Sequence, residues 1–191
     1  MPDRFYLSVW IRGFDERGML GRFEQLLRAF PFSRLRPAIA RLKVYAIEEV
    51  EPPLLEQAYG GVPDVEAVLE AARDFEHADC AYMVEGWWDL WSCAGEWKLL
   101  PSRVTLACYG PEFANDEGDH LRIELGVDTQ FVPQPGLPQA ARMAQSNLQS
   151  VVRLAGELEK CMPVRTRRLW LESGADFAAQ VGAALAGWSV T

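Results

Sequence analysis

The segment from Tyr82 to Trp91 carries the residue types with the greatest potential for chemistry in this chain. Its sequence is Tyr-Met-Val-Glu-Gly-Trp-Trp-Asp-Leu-Trp. If it forms a β-strand, Glu85, Trp87, Asp89 and Trp91 share one face, because alternate side chains of a strand point the same way. Carboxylates beside indole rings favour cationic or polyhydroxylated ligands, through cation–π contact, ring stacking and hydrogen bonding. They also fit a basic protein partner, because tryptophan is enriched at interface hot spots.

Paired carboxylates are also the groups that glycosidases use for acid–base chemistry. Four residues of strand place the Cα atoms of Glu85 and Asp89 about 13 Å apart. Retaining enzymes hold their carboxyl groups about 5 Å apart, and inverting enzymes about 6.5–9.5 Å. A carboxylate on a neighbouring strand, such as Glu48 or Glu124, would therefore be a better partner for Glu85. The alternative interpretation is that other parts of the chain cover this face and bury its indole rings.

A second candidate site follows a predicted strand, just before the longest predicted helix. Its sequence is Gly-Val-Asp-Thr-Gln, and its candidate binding residues are Asp128 and Gln130. Strand ends next to helix N-termini often hold ligands. The competing interpretation is that these two polar side chains only cap a turn.

The sequence gives little indication of a nucleophile, a metal site or a cofactor. Cys108 and His120 flank a predicted hairpin turn and would form a nucleophilic pair only if the hairpin brought them into contact. His77 and Cys80 lack a second cluster of thiolate or imidazole ligands, which a zinc site requires. Phosphate-binding glycine loops and the nucleophile-elbow motif are absent. We therefore predict no cofactor and no metal.

Charge and hydropathy point away from nucleic acids and membranes. The 191 residues include 27 Asp and Glu against 19 Lys and Arg, a formal net charge of −8. This charge repels a phosphate backbone, and the basic residues near 34–43 and 165–168 are predicted to be solvated surface charges. We see no secretory signal, no apolar run long enough for a membrane span and no disulfide or zinc spacing among the four cysteines. We predict a cytoplasmic protein.

Hydrophobic periodicity predicts the elements that position these residues. Alternation predicts strands at 5–14, 39–47, 81–91, 104–109, 121–127 and 168–172. Stripes at helical spacing predict helices at 19–30, 65–75, 140–162 and from Phe177 to Trp188. Turn residues at 95–101 and 133–138 separate them.

This pattern predicts an α+β fold with a mixed or largely antiparallel sheet of about six strands. Four helices would pack mainly on one face, and a pseudo-symmetric relation between the βαβαβ and ββαβα halves is an alternative interpretation. We expect residues 1–191 to form a single compact domain, with a possible seam near 95–101.

The function that the sequence favours is an acidic, cytosolic binding or interaction protein that uses the acid–aromatic surface from Glu85 to Trp91. Its partner would be a basic protein or a small ligand. The alternative function is a carboxylate-based hydrolase acting on a carbohydrate or a small cationic substrate. A third hypothesis is a self-associating structural protein whose apolar patches form a dimer surface. The sequence does not predict an oligomeric state.

Overall fold

The strands of this chain form one sheet, and its helices lie in the connections between them. The computed structural model describes residues 2–37, 39–60, 64–177 and 179. The strands are β1 (Arg4–Ile11), β2 (Ile39–Ala46), β3 (Leu55–Ala58), β4 (Cys80–Cys93), β5 (Trp97–Tyr109), β6 (Leu121–Val127) and β7 (Val164–Leu171). The α-helices are α1 (Met19–Ala29), α2 (Val65–Ala72) and α3 (Ala140–Cys161).

The sheet has the strand order β3-β2-β4-β5-β6-β1-β7, and all of these neighbours pair antiparallel. The predicted α+β class and antiparallel sheet are confirmed. The predicted numbers of elements differ, because the short strand β3 was missed and the described residues hold three α-helices rather than four. The fourth predicted helix, from Phe177 to Trp188, falls mostly outside the described residues.

The two faces of the sheet have different coverings. Alternate residues of the strands, such as Phe5 and Leu7 of β1, join α1, α2 and α3 in the main core. Trp88 of β4 is buried in this core, and its indole Nε1 donates to the carbonyl oxygen of Leu125 at 3.0 Å. The opposite face, here called the outer face, holds a smaller apolar cluster made by Tyr45, Ala81, Met83, Ala107, Tyr109 and Phe113. None of these residues belongs to a described helix.

A long hairpin of β4 and β5 forms the centre of the sheet. Its pairs run from Ala81 opposite Tyr109 to Cys93 opposite Trp97. Gly95, in the turn, has a φ of 94°, a conformation that glycine adopts more easily than other residues. The seam predicted near 95–101 therefore falls in this hairpin.

Among the described residues, no helix is long and apolar enough to cross a membrane.

Candidate functional site

A groove on the outer face is the site that best matches the predicted surface. Its volume is about 230 Å³, and strands β1, β4, β5 and β6 supply its charged and polar side chains. We call it the outer-face groove, and its main lining residues are Arg4, Glu85, Trp87, Arg103, Thr105 and Glu124. Strand alternation places Glu85 and Trp87 on this face, as the sequence predicted, while Trp88, the next residue along the strand, points into the core.

Trp87 is a half-buried indole that arginines contact. The guanidinium carbon of Arg36 lies 3.6 Å from the centre of the ring, and that of Arg103 lies 5.5 Å away. The carbonyl oxygen of Trp87 accepts a hydrogen bond from the backbone N–H of Ser33 at 2.7 Å. The ring is thus held between a loop and β5, and part of its surface lines the groove.

The carboxylates of the groove have cationic neighbours with different geometry. Lys43 Nζ lies 2.7 Å from Glu85 Oε1, and this hydrogen bond raises the pKa of Lys43. Arg4 Nη1 lies 3.6 Å from Glu124 Oε2, beyond a strong hydrogen bond. Burial raises the pKa of Glu124 above its ordinary value, and the charge of Arg4 opposes this rise.

Asp89 does not line the groove, although it belongs to the same predicted face. Its carboxylate accepts hydrogen bonds from Ser33 Oγ at 2.6 Å and from the backbone N–H of Arg34 at 2.9 Å. Both of its oxygens are therefore used to hold the loop that follows α1. This structural role takes Asp89 out of the pair of carboxylates considered for hydrolysis.

Trp91 lines a different cavity, of about 150 Å³, together with Gln130, Trp97 and Cys93. The structure therefore places Trp91 and Gln130, which the sequence assigned to separate sites, in the same cavity. Next to it, Asn147 of α3 hydrogen-bonds both the N–H and the carbonyl of Trp91, each at 2.9 Å. Its amide also donates to the carbonyl oxygen of Gln130 at 2.7 Å.

Asp128 and Gln130 bond the turn after β6. Asp128 Oδ1 accepts from the backbone N–H groups of Asp3 and Thr129, at 3.1 and 2.8 Å. Gln130 Oε1 accepts from Val127 N–H at 3.1 Å, and its amide nitrogen donates to Ser102 Oγ at 2.9 Å. These contacts match the interpretation that both residues cap a turn.

The candidate nucleophile and metal residues lie in unsuitable surroundings. Cys108 is buried, which raises the pKa of its thiol far above the ordinary value, and its Sγ contacts the carbonyl oxygen of Met19. His120 Nδ1 accepts from Ile11 N–H at 2.9 Å, and its ring stacks on Phe14. The two residues therefore do not form a nucleophilic pair. Within the described ranges, we find no group of three or more His, Cys, Asp or Glu placed to hold a metal ion.

The basic residues considered for nucleic-acid binding are largely used in ion pairs. These pairs are Arg41 with Glu56, Lys43 with Glu85, Arg167 with Glu159 and Arg168 with Glu117. Arg36 instead contacts Trp87.

Sequence reasoning missed Arg103 and Thr105 as lining residues of the groove. They lie opposite Trp87 and Glu85 in the β4–β5 pairing. The strand prediction began at Val104 and therefore left Arg103 outside the sheet. The available signal was the alternation of Arg103, Thr105 and Ala107, which continues the outer face of β5 toward its start.

A second polar group on the outer face also went unnoticed. Asp119 as a residue is 2% exposed, and its carboxylate accepts hydrogen bonds from Ser8, Asn115 and Arg122. The Ser8 hydroxyl in turn accepts from Trp170 Nε1 at 2.9 Å. We call these five residues the sealed cluster.

Comparisons with protein-family models, with curated proteins and with solved structures found no match to this chain.

Proposed function

We propose that this protein binds a small polyhydroxylated ligand, of the size of a sugar unit, in the outer-face groove. The observation that carries the proposal is the convergence of an indole, two carboxylates and two guanidinium groups on one cavity of about 230 Å³. Indoles provide apolar surface for the C–H faces of a sugar ring. Carboxylates and guanidinium groups supply strong acceptors and donors for its hydroxyl groups.

The charges of the groove favour a neutral ligand. Glu85 and Glu124 are balanced by Arg4 and Arg103 among the lining residues, and Lys43 contacts Glu85 as well. A cationic ligand would have to compete with cations already in place. The same balance gives a basic protein partner, one of the two partners that the sequence predicted, little net charge to bind.

Each residue has a distinct role in this proposal. Trp87 provides the apolar surface, and Arg36 and Arg103 limit the movement of its ring. Glu85 and Glu124 accept hydrogen bonds from ligand hydroxyl groups, and Arg103 donates to ligand oxygens. Thr105 lies between the two glutamates and adds a hydroxyl at the floor of the groove.

Titration of the protein with a panel of monosaccharides and disaccharides tests this function, with tryptophan fluorescence and ligand-observed NMR as the readouts. We expect saturable binding of at least one sugar by the wild-type protein. Trp87→Ala and Arg103→Ala should each weaken this binding at least tenfold, which corresponds to about 1.4 kcal/mol.

Trp97→Ala is the matched control, because it removes an indole that lines the other cavity. It should leave sugar binding unchanged. Absence of binding to every sugar in the panel contradicts the proposal. Equal weakening by Trp87→Ala and Trp97→Ala contradicts it as well.

A further inference from the structure

The register of the sheet brings Glu85 and Glu124 into line across three adjacent strands. Thr105 of β5 pairs with Glu85 of β4 on one side and with Glu124 of β6 on the other. Two interstrand spacings place the backbones of the two glutamates about 10 Å apart. Both side chains lie on the same face and line the same groove. This geometry supplies the closer carboxylate partner that Glu85 lacks on its own strand.

The surroundings of the two carboxyl groups differ in a way that suits acid–base chemistry. Glu85 forms a direct, charge-assisted hydrogen bond of 2.7 Å with the ammonium group of Lys43. The two glutamate side chains are equally exposed, at 33%, and burial raises the pKa of Glu124 although Arg4 lies 3.6 Å away. Hydrolases assign an acid and a base by placing two carboxyl groups in different environments.

We propose that the outer-face groove hydrolyses a glycosidic bond with inversion, with Glu124 as the general acid and Glu85 as the general base. This inference rests on the proposed binding of a sugar in the same groove. The separation of the two backbones across an intervening strand favours inversion, because an inverting enzyme leaves room for a water molecule between the base and the sugar. The part of the groove between the two glutamates, which Thr105 also lines, would hold this water molecule.

The reaction consumes one water molecule and requires no other co-reactant. Glu124 donates its proton to the glycosidic oxygen as the bond from that oxygen to the anomeric carbon breaks. Glu85 accepts a proton from the attacking water, whose oxygen bonds to the anomeric carbon from the opposite side. Glu124 is then ionised and Glu85 protonated, and proton exchange with solvent restores the starting state.

The experiment uses the full chain and glycosides of the sugar that binds best. One glycoside carries a 4-nitrophenyl leaving group, and a second carries a methyl group. We expect the wild-type protein to release nitrophenol and, by NMR, to yield a product of inverted anomeric configuration. Glu85→Gln should lower turnover of both glycosides at least 100-fold, measured at glycoside concentrations that saturate the variant.

Glu124→Gln should have a different effect on the two glycosides. Nitrophenolate leaves with little need for a proton, so the loss of turnover should be much larger for the methyl glycoside. Glu56→Gln is the matched control, because Glu56 forms an exposed ion pair with Arg41 on β2 and β3 and does not line the groove. It should retain wild-type turnover.

The outcomes separate this inference from the binding function on which it rests. Sugar binding without turnover overturns the hydrolysis and leaves the binding proposal standing, whereas absence of both overturns both. Wild-type turnover of the methyl glycoside by either glutamine variant, or a product of retained configuration, also overturns the assignment.

Discussion

Arg122 and Glu124 lie two residues apart on β6 and point to the same face of the sheet, yet their surroundings differ. Arg122 donates to both oxygens of the buried Asp119 and lies near the rings of Tyr109 and Trp170. Glu124 lines an open groove, and its nearest cation, Arg4, is 55% exposed. Two successive outer-face positions of one strand thus belong to a closed structural cluster and to an open candidate site.

The difference shows how hydrogen bonding separates a structural charge from an available one. In the sealed cluster, each carboxylate oxygen of Asp119 has two donors, and the side chain has no contact with solvent. Such an arrangement stabilises only when it is complete. In the groove, the carboxylates keep acceptor capacity for a ligand.

Asp119→Ala should lower the free energy of unfolding by about 3–5 kcal/mol, because it leaves the partly buried guanidinium of Arg122, 19% exposed, without its carboxylate. Urea denaturation followed by tryptophan fluorescence measures this loss. Glu117→Ala is the control, since Glu117 pairs with the exposed Arg168 and its loss should cost about 1 kcal/mol or less. Equal losses in the two variants would show that the cluster is not a closed structural unit.

Ser8→Ala should lower the free energy of unfolding by about 2 kcal/mol, because it removes a fully buried hydroxyl that bonds both Asp119 and Trp170. The same denaturation assay measures it. Ser150→Ala, which removes a hydroxyl bonded to the carbonyl of Ser146 on α3, should change stability by about 0.5 kcal/mol or less. A loss for Ser8→Ala as small as that of the control contradicts the structural role of Ser8.

His120 should make the edge of the sealed cluster sensitive to acid. Burial lowers the pKa of His120, and its Nδ1 can accept from Ile11 N–H only while the ring nitrogen is unprotonated. The neutral ring therefore contributes its full stabilisation at pH values above 6.5, the ordinary pKa of histidine. This contribution is lost as pH falls through the lower folded-state pKa.

Urea denaturation between pH 8 and pH 5 tests this dependence. The loss of stability on acidification should be smaller in His120→Asn than in the wild type, and His77→Asn should behave as wild type because His77 is 64% exposed. Parallel pH profiles for all three proteins would contradict the prediction.

Glu124→Gln should have the smallest effect on stability, and its sign should be neutral or favourable at pH 7. A carboxyl group whose pKa is raised in the folded state stabilises the fold at pH values below 4.5, its ordinary pKa. This contribution is lost as pH rises through the folded-state pKa. The variant should therefore gain stability relative to wild type at pH 7, and the gain should disappear in acid. A loss above about 1 kcal/mol at pH 7 would instead assign Glu124 and Arg4 a structural role.

Much of the fold was predictable because most strands and helices are strongly periodic. The short strand β3 was not, since its sequence Leu-Glu-Gln-Ala has no alternation and it forms through pairing with β2. Pro101 also concealed the first half of β5. It is tolerated there because β6 pairs with β5 only from Thr105 to Cys108, which leaves Pro101 on a part of the strand with one strand neighbour.

The candidate site was predictable only in part. Alternation placed Glu85 and Trp87 together, but it could not show which distant residues approach each position of a strand as long as β4. The loop after α1 approaches at Asp89 and α3 approaches at Trp91, so these two positions have separate roles. Glu124 entered the groove through strand register, which depends on the order of strands in the sheet.

Asn147 has a consequence for how this protein avoids unwanted association. Beyond Phe32 and Ser33, β4 has no strand neighbour among the described residues on the side opposite β5. There the amide of Asn147 bonds both backbone groups of Trp91, as the peptide group of an adjacent strand would. Exposed strand edges are templates for intermolecular β-pairing. Removing this amide, as in Asn147→Leu, should therefore promote aggregation as well as lower stability.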